Sequence, residues 1–199
     1  MAPMSLMERA AAYRLWQAPF ASGKVRPVLR HNDLTQVRRV LDVGCGPGIN
    51  RSLFDHADYL GLDLNPAYVA DARRRYGGQF RVADVTREES LPESSYDCIF
   101  VNSLLHHVST SDTRRLLFRL AGLLTDAGHV HILDLIMPES ASLARLLARW
   151  DRGEHARPVE EWRRIFTEAF EPVLFEPFPL RMFGVTLWNM VYFKGRRRP

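Results

Sequence analysis

Cysteine is scarce: Cys45 and Cys98 are the only two in 199 residues. Two thiols give no disulfide framework and no zinc-ligand spacing, which fits a reducing cytoplasm. No apolar run approaches the ~18 residues of a membrane span. The opening MAPMSLMERAAAYRLWQ carries Glu8 and lacks the apolar centre of a secretory signal. Lysine is almost missing too, with only Lys24 and Lys194 among 27 Lys and Arg. The net charge of +4 therefore rests on arginine, and the arginines are scattered. Their short clusters, Arg73–Arg75 and Arg196–Arg198, read as a solvated helix face and a chain end. A nucleic-acid partner is not expected from such a distribution. There is no repeat, no low-complexity stretch and no sign of a second domain.

Glycine is concentrated where it matters. Val40–Asn50 reads VLDVGCGPGIN, an apolar run interrupted by Asp42 and leading into Gly44, Gly46 and Gly48. A strand ending in such a turn and opening a helix builds a cradle for a small ligand, because glycine permits close approach to the backbone. The spacing is G-x-G-x-G rather than the G-x-G-x-x-G of dinucleotide binders. A carboxylate at Asp42 would repel a diphosphate and hold a cation or hydrogen-bond donors. A turn without any cofactor is the plain alternative. With Asp42 ahead of it, the pattern resembles motif I of the class I S-adenosylmethionine (SAM) dependent methyltransferases. That resemblance implies an acidic residue near the amino group of SAM and glycines beneath its sugar and methionine.

Strand and helix signals then alternate. Strands are predicted at Arg38–Val43, Tyr59–Asp63, Phe80–Ala83, Tyr96–Val101 and Val130–Ile136, with a turn at Asp126–Gly128. Helices are predicted at Ile49–Asp55, at Pro66–Tyr76 with proline in its first turn and a Gly77–Gly78 stop, and at Ser111–Leu124. Alternation of this kind implies a parallel sheet covered on both faces, with ligands beyond the carboxyl ends of the strands. Those ends carry Asp63, Asp84 and the pair Asn102–Ser103. Each alone reads equally well as a loop carboxylate or helix cap.

Together with GLDLN, VADV, YDCIFVNSLLHHV and LLTDAGHVHILDL, the resemblance covers about residues 37–137. It implies a Rossmann-like sheet of seven mostly parallel strands with an antiparallel C-terminal hairpin and helices on both faces. It places Gly44, Cys45, Gly46, Asp63, Leu64, Asp84, Val85 and Asn102 at the cofactor, SAM, which becomes S-adenosylhomocysteine. Asp63 would accept the ribose hydroxyls, Leu64 and Val85 would sandwich the adenine, Asp84 would accept from its amino group, and Asn102 and Ser103 would lie beneath the methionine. Asp97 matches a common structural aspartate. Asn102-Ser103-Leu104 lacks the Asn-Pro-Pro-Tyr signature of enzymes that methylate base amines.

SLLHHVS, after the fourth strand, supplies two adjacent histidines. On a local helix they point about 100° apart, so one of them faces the substrate. Similarity to small-molecule O-methyltransferases makes His106 the general base, with His107 second. Packing or hydrogen-bonding histidines are the alternative. His129 and His131 lack a third ligand and read as filler, so no metal is expected.

The chain reads as one domain in three parts. The resemblance implies an N-terminal helical lid over residues 1–36, with Tyr13, Arg14 and Trp16 as candidates to close it and a helix merely packing on the sheet as the alternative, then the SAM-binding core at residues 37–137 and substrate-roof helices and the hairpin at residues 138–199. Helices are predicted at Lys24–Arg30, Ala141–Trp150 and Val159–Phe170, and hairpin strands at Pro172–Leu180 and Gly184–Lys194. Trp150, Trp162, Phe183 and Trp188 suit an apolar or aromatic small-molecule acceptor. O-methylation is the expected transfer. RNA or protein methylation, and SAM binding without transfer, are the alternatives.

Overall fold

The computed structural model describes residues 20, 22–87, 96–140, 142–150 and 155–198. The predicted lid residues Tyr13, Arg14 and Trp16 lie outside them. Strands β1 (Arg39–Val43), β2 (Asp58–Asp63), β3 (Gln79–Val82), β4 (Tyr96–Asn102), β5 (Leu124–Ile136), β6 (Phe170–Met182) and β7 (Val185–Arg197) form one sheet in the order β3-β2-β1-β4-β5-β7-β6. The first five strands run parallel, and β7 is antiparallel to both β5 and β6. The order reverses between β1 and β4, so their carboxyl ends flank the crevice where a ligand sits in such sheets.

Helices cover both faces. On one, α3 (Thr110–Gly122) and α5 (Val159–Ala169) bury Leu116, Leu117, Leu120, Trp162, Ile165 and Phe166 against Leu41, Val43 and Ile99. On the other, α1 (residues 22–31) and α2 (Pro66–Tyr76) bury Val25, Val28, Val69 and Ala72 against Val40, Phe54 and Phe100. Each fully buried Leu or Phe contributes roughly 1.5–3 kcal/mol. A third, smaller cluster joins Phe20, Leu135, Ala148 of α4 (Leu143–Trp150), Leu180 and Met190 beside the crevice. No described helix is long and apolar enough to cross a membrane.

Local chemistry accounts for several boundaries. Asn65 caps α2 by accepting from the Ala67 N–H at 2.9 Å, Pro66 starts it, and Gly77 ends it with φ 62°. Asp97 accepts from the Arg38 and Arg39 N–H groups at 2.6 and 3.0 Å, tying β4 to the start of β1.

Three expectations need correction. The helix expected over Ile49–Asp55 is a single 3-10 turn, Arg51–Phe54. Asn50, which would cap a longer helix, makes no capping bond; its side chain accepts from Asn102 instead. The turn expected at Asp126–Gly128 lies within β5, which starts at Leu124 opposite Tyr96 and shifts register before Cys98. Gly128 is needed there because a Cβ would sit 2.6 Å from the Tyr96 carbonyl oxygen. The hairpin strands are also longer than expected, at 13 residues each. Pro172, Pro177 and Pro179 lie on the edge strand β6, where a missing N–H is tolerated.

Candidate active site

The glycine turn leaves β1 and doubles back beneath β2. Gly44 and Cys45 both donate N–H bonds to the Leu62 carbonyl, at 2.8 and 2.9 Å. Gly44 has φ +75°, and a Cβ there would lie 3.0–3.1 Å from the Leu104 side chain. Backbone conformation and space therefore both demand glycine. Cys45 is buried, with its sulfur against Gly61. Burial and the neighbouring Asp42 and Asp63 push its thiol up, so it is no nucleophile.

Asp63, at the end of β2, accepts from the Gly46 N–H and the Asn65 N–H, both at 2.8 Å. Burial raises its carboxyl even so, and the two backbone donors pull against that rise. Leu64, next in sequence, is 67% exposed, whereas Val85 is buried. Asp84 accepts from both the hydroxyl and the N–H of Thr86, at 2.6 and 3.1 Å. The Thr86 hydroxyl is the largest influence holding that carboxyl below the usual range.

Asp42 lies fully buried under the turn. Tyr59 donates its hydroxyl to Oδ2 at 2.5 Å, while Oδ1 has no hydrogen-bond partner. Burial pushes this carboxyl up to about 7, against the pull of the Tyr59 hydroxyl and the nearby Asn50 side chain. An orphaned buried carboxylate oxygen beside a glycine cradle fits a site whose ligand brings a positive group.

The end of β4 carries a connected polar set. Asn102 donates its amide to Asn50 Oδ1 at 3.1 Å, and Ser103 donates its hydroxyl to Asn102 Oδ1 at 3.1 Å. Ser103 is one of two described non-glycine residues with positive φ, at 57°. Lys24 of α1 donates to the Ser103 hydroxyl at 3.0 Å.

The following 3-10 turn, Leu105–His107, separates the two histidines. His106 is buried, and its Nδ1 lies 2.7 Å from Asp134 Oδ1. His107 is exposed, and its ring lies tilted against that of His106, with centroids 4.1 Å apart. Asp134 is fully buried in β5 and also accepts from the Leu105 and Leu135 N–H groups, each at 2.7 Å. Its carboxyl is held low: burial works against the charge, but His106 and those donors win. Arg157 clamps the turn from the far side, donating to the carbonyls of Leu105 at 3.1 Å and Val108 at 2.7 Å. Its guanidinium stacks over Trp162, 4.6 Å from the ring centroid. Asp134, Arg157, Asn50 and Lys24 escaped the reading of the sequence. The one available signal was Asp134, a charge in the middle of the apolar run HILDLIM.

Of the expected roof aromatics, Trp162 is core, with its indole N–H donating to the Leu135 carbonyl at 2.8 Å. Trp188 packs edge-on against Phe20, Phe183 is exposed at the hairpin tip, and the Trp150 side chain lies outside the described residues. His131 bonds the Tyr192 hydroxyl at 2.9 Å and stacks on its ring. Among the described residues no group of three His, Cys, Asp or Glu is placed to hold a metal.

Comparison with known proteins bears on the family and the fold. A family model described as a methyltransferase domain matches residues 40–128. A trans-aconitate 2-methyltransferase from Methylobacterium nodulans is 39% identical over 121 residues, which cover 55% of this chain and 44% of that protein. An uncharacterised methyltransferase from Mycobacterium tuberculosis is 29% identical over 136 residues, covering 61% of this chain and 68% of that protein. The chain thus spans about half the length of most of the curated relatives it matches. Among solved structures, human N-acetylserotonin methyltransferase in complex with SAM superposes with a TM-score of 0.69 at 18% identity, covering 96% of this chain and 56% of that one. Mitomycin 7-O-methyltransferase gives 0.66 at 17%, covering 97% and 61%. At such identities the likeness is one of fold.

Proposed function

We propose, for a chain that belongs to the class I S-adenosylmethionine-dependent methyltransferase family, methyl transfer from SAM to an oxygen of a small-molecule acceptor, with His106 as general base. The observation that carries this reading is the His106–Asp134 pair, 2.7 Å apart, which fixes His106 in the turn after β4, next to Leu104 against Gly44 of the cradle. SAM, when bound, supplies an electrophilic methyl group and leaves as S-adenosylhomocysteine. The residues that would hold it are those of the strand ends. Gly44, Cys45 and Gly46 would lie beneath it, Asp63 would accept the ribose hydroxyls, and Leu64 and Val85 would flank the adenine. Asp84 would accept from the adenine amino group, and Asn102 and Ser103 would border the methionine. Asp42, under the turn, would ionise beside the ammonium of the bound cofactor.

With Nδ1 engaged by Asp134, the acceptor's proton goes to His106 Nε2. Asp134 orients the ring and stabilises the imidazolium that forms. In-line displacement at a methyl group otherwise needs only alignment. A second reading is favoured by the relatives named as trans-aconitate methyltransferases. Trans-aconitate is a tricarboxylic acid, and an ionised carboxylate has no proton to lose. On such an acceptor the His106–Asp134 pair would only fix the turn.

Labelled SAM offered to a panel of alcohols, phenols and trans-aconitate separates the readings. With a hydroxyl acceptor, His106→Ala should lower kcat about 10²–10⁴-fold and leave SAM affinity nearly unchanged. Near-normal turnover in that variant would remove His106 as base. SAM binding with transfer to none of the panel, or to RNA or protein alone, would overturn the small-molecule reading.

A further inference from the structure

We infer that Lys24 binds the α-carboxylate of the cofactor's amino-acid end, at the cationic terminus of a hydrogen-bond track that runs across the carboxyl ends of β4 and β1. The inference rests on the reading of this crevice as a SAM site and names a residue for it that lies outside the matched segment 40–128.

The track is directional. The Lys24 ammonium donates to Ser103 Oγ at 3.0 Å, Ser103 Oγ donates to Asn102 Oδ1 at 3.1 Å, and Asn102 Nδ2 donates to Asn50 Oδ1 at 3.1 Å. Asn50 in turn stands by the buried Asp42 carboxyl and favours its charged form. Every donor points away from the lysine, so the cation stands at one end and Asn50, near the buried Asp42 carboxyl, at the other. A chain of aligned hydrogen bonds polarises itself in the sense of its end charges.

Lys24 and Ser103 are both held by their surroundings. Val25 and Val28 anchor α1 in the core with Phe100, Leu133 and Tyr192, and Gly23 has the Leu180 side chain 3.2 Å from where a Cβ would stand. Lys24 is thereby held half-buried over the end of β4. Ser103 keeps a left-handed conformation that an L-residue adopts at a cost, while its N–H is fixed on the Leu133 carbonyl at 2.8 Å. Such strain concentrates where a side chain must be aimed at a ligand.

The ligand complementary to this arrangement carries a carboxylate and an ammonium a short distance apart. The amino-acid end of SAM is such a zwitterion. Its carboxylate belongs at Lys24 and its ammonium toward Asp42. A lysine ammonium matches a carboxylate as a compact point charge.

Calorimetry on the full chain tests this with SAM and decarboxylated SAM, which differ only in that carboxylate. Lys24→Met should weaken SAM binding about 10–100-fold, the span of a hydrogen bond to a charged group. It should leave decarboxylated SAM unaffected, and Lys24→Arg should restore most of the SAM affinity. Equal weakening of both ligands would show that Lys24 merely supports the fold and would overturn the inference. Unchanged SAM affinity would overturn it as well. Wild-type protein that binds neither ligand would sink the cofactor reading itself, a result distinct from either.

Discussion

Replacing Asp42 with Asn should uncover a charge cost that burial builds into the ligand-free protein. The carboxyl is fully buried, takes one hydrogen bond from Tyr59, and stands at about 7 against 3.8 in the unfolded chain. A group whose folded value is raised contributes stability that is complete below the unfolded value and is lost as pH climbs to the folded one. Between pH ~4 and 7 the native state thus loses about 1.4 kcal/mol per pH unit from this group. His131 acts in the opposite sense. Burial, first, and then Lys194 and His129 lower its ring from 6.5 to about 3. Its contribution is present above the unfolded value and is lost as pH falls toward the folded one. The windows overlap, so in the wild type the two slopes largely cancel. Asp42→Asn keeps an oxygen for Tyr59 and removes one slope. Urea unfolding at pH 5 and 7 should show the variant gaining about 2 kcal/mol on the wild type over that interval. His131→Gln should lose about the same amount relative to the wild type over the same interval. Shared surface carboxylates drop out of each difference. An Asp42→Asn offset that stays constant from pH 5 to 7 would refute the idea that burial keeps this carboxyl protonated.

Two further outcomes follow from the packing of the cradle. Asp63→Ala should weaken SAM binding by about 1.5–3 kcal/mol, the range for hydrogen bonds to a charged group. It should also lower stability, because the Gly46 and Asn65 N–H groups lose their acceptor; unchanged SAM affinity by calorimetry would remove Asp63 from the site. Gly61→Ala would put a Cβ 2.6 Å from a Phe80 ring carbon and 2.9 Å from the Cys45 sulfur. Overpacking of that kind costs about 1–3 kcal/mol in a denaturation midpoint experiment, and a wild-type midpoint would show that the contact yields freely.

The sequence by itself determined the architecture, because its signals are local and mutually consistent. Alternating apolar runs and helix caps, together with glycines at Gly44, Gly46 and Gly48, are enough to specify a parallel sheet with a crevice at its carboxyl ends. Pro66–Tyr76 was legible to the residue, since Asn65, Pro66 and Gly77 mark both its ends. The strand-end residues Asp63, Asp84 and Asn102 were legible for the same reason: where a strand stops, the next polar side chain has nowhere else to go. Tertiary structure alone decided what depends on partners far apart in the chain. Neither neighbour of the His106–His107 pair says which ring turns inward; Asp134, 28 positions away on β5, draws His106 into the core and leaves His107 outside. The turn that holds them is set by Arg157, 49 to 52 positions on, whose buried guanidinium supplies donors to two carbonyls. Lys24 is joined to Ser103 across 79 positions only because α1 packs on the sheet. The charge state of Asp42 is likewise a property of its burial, and burial is fixed only when distant segments close over it.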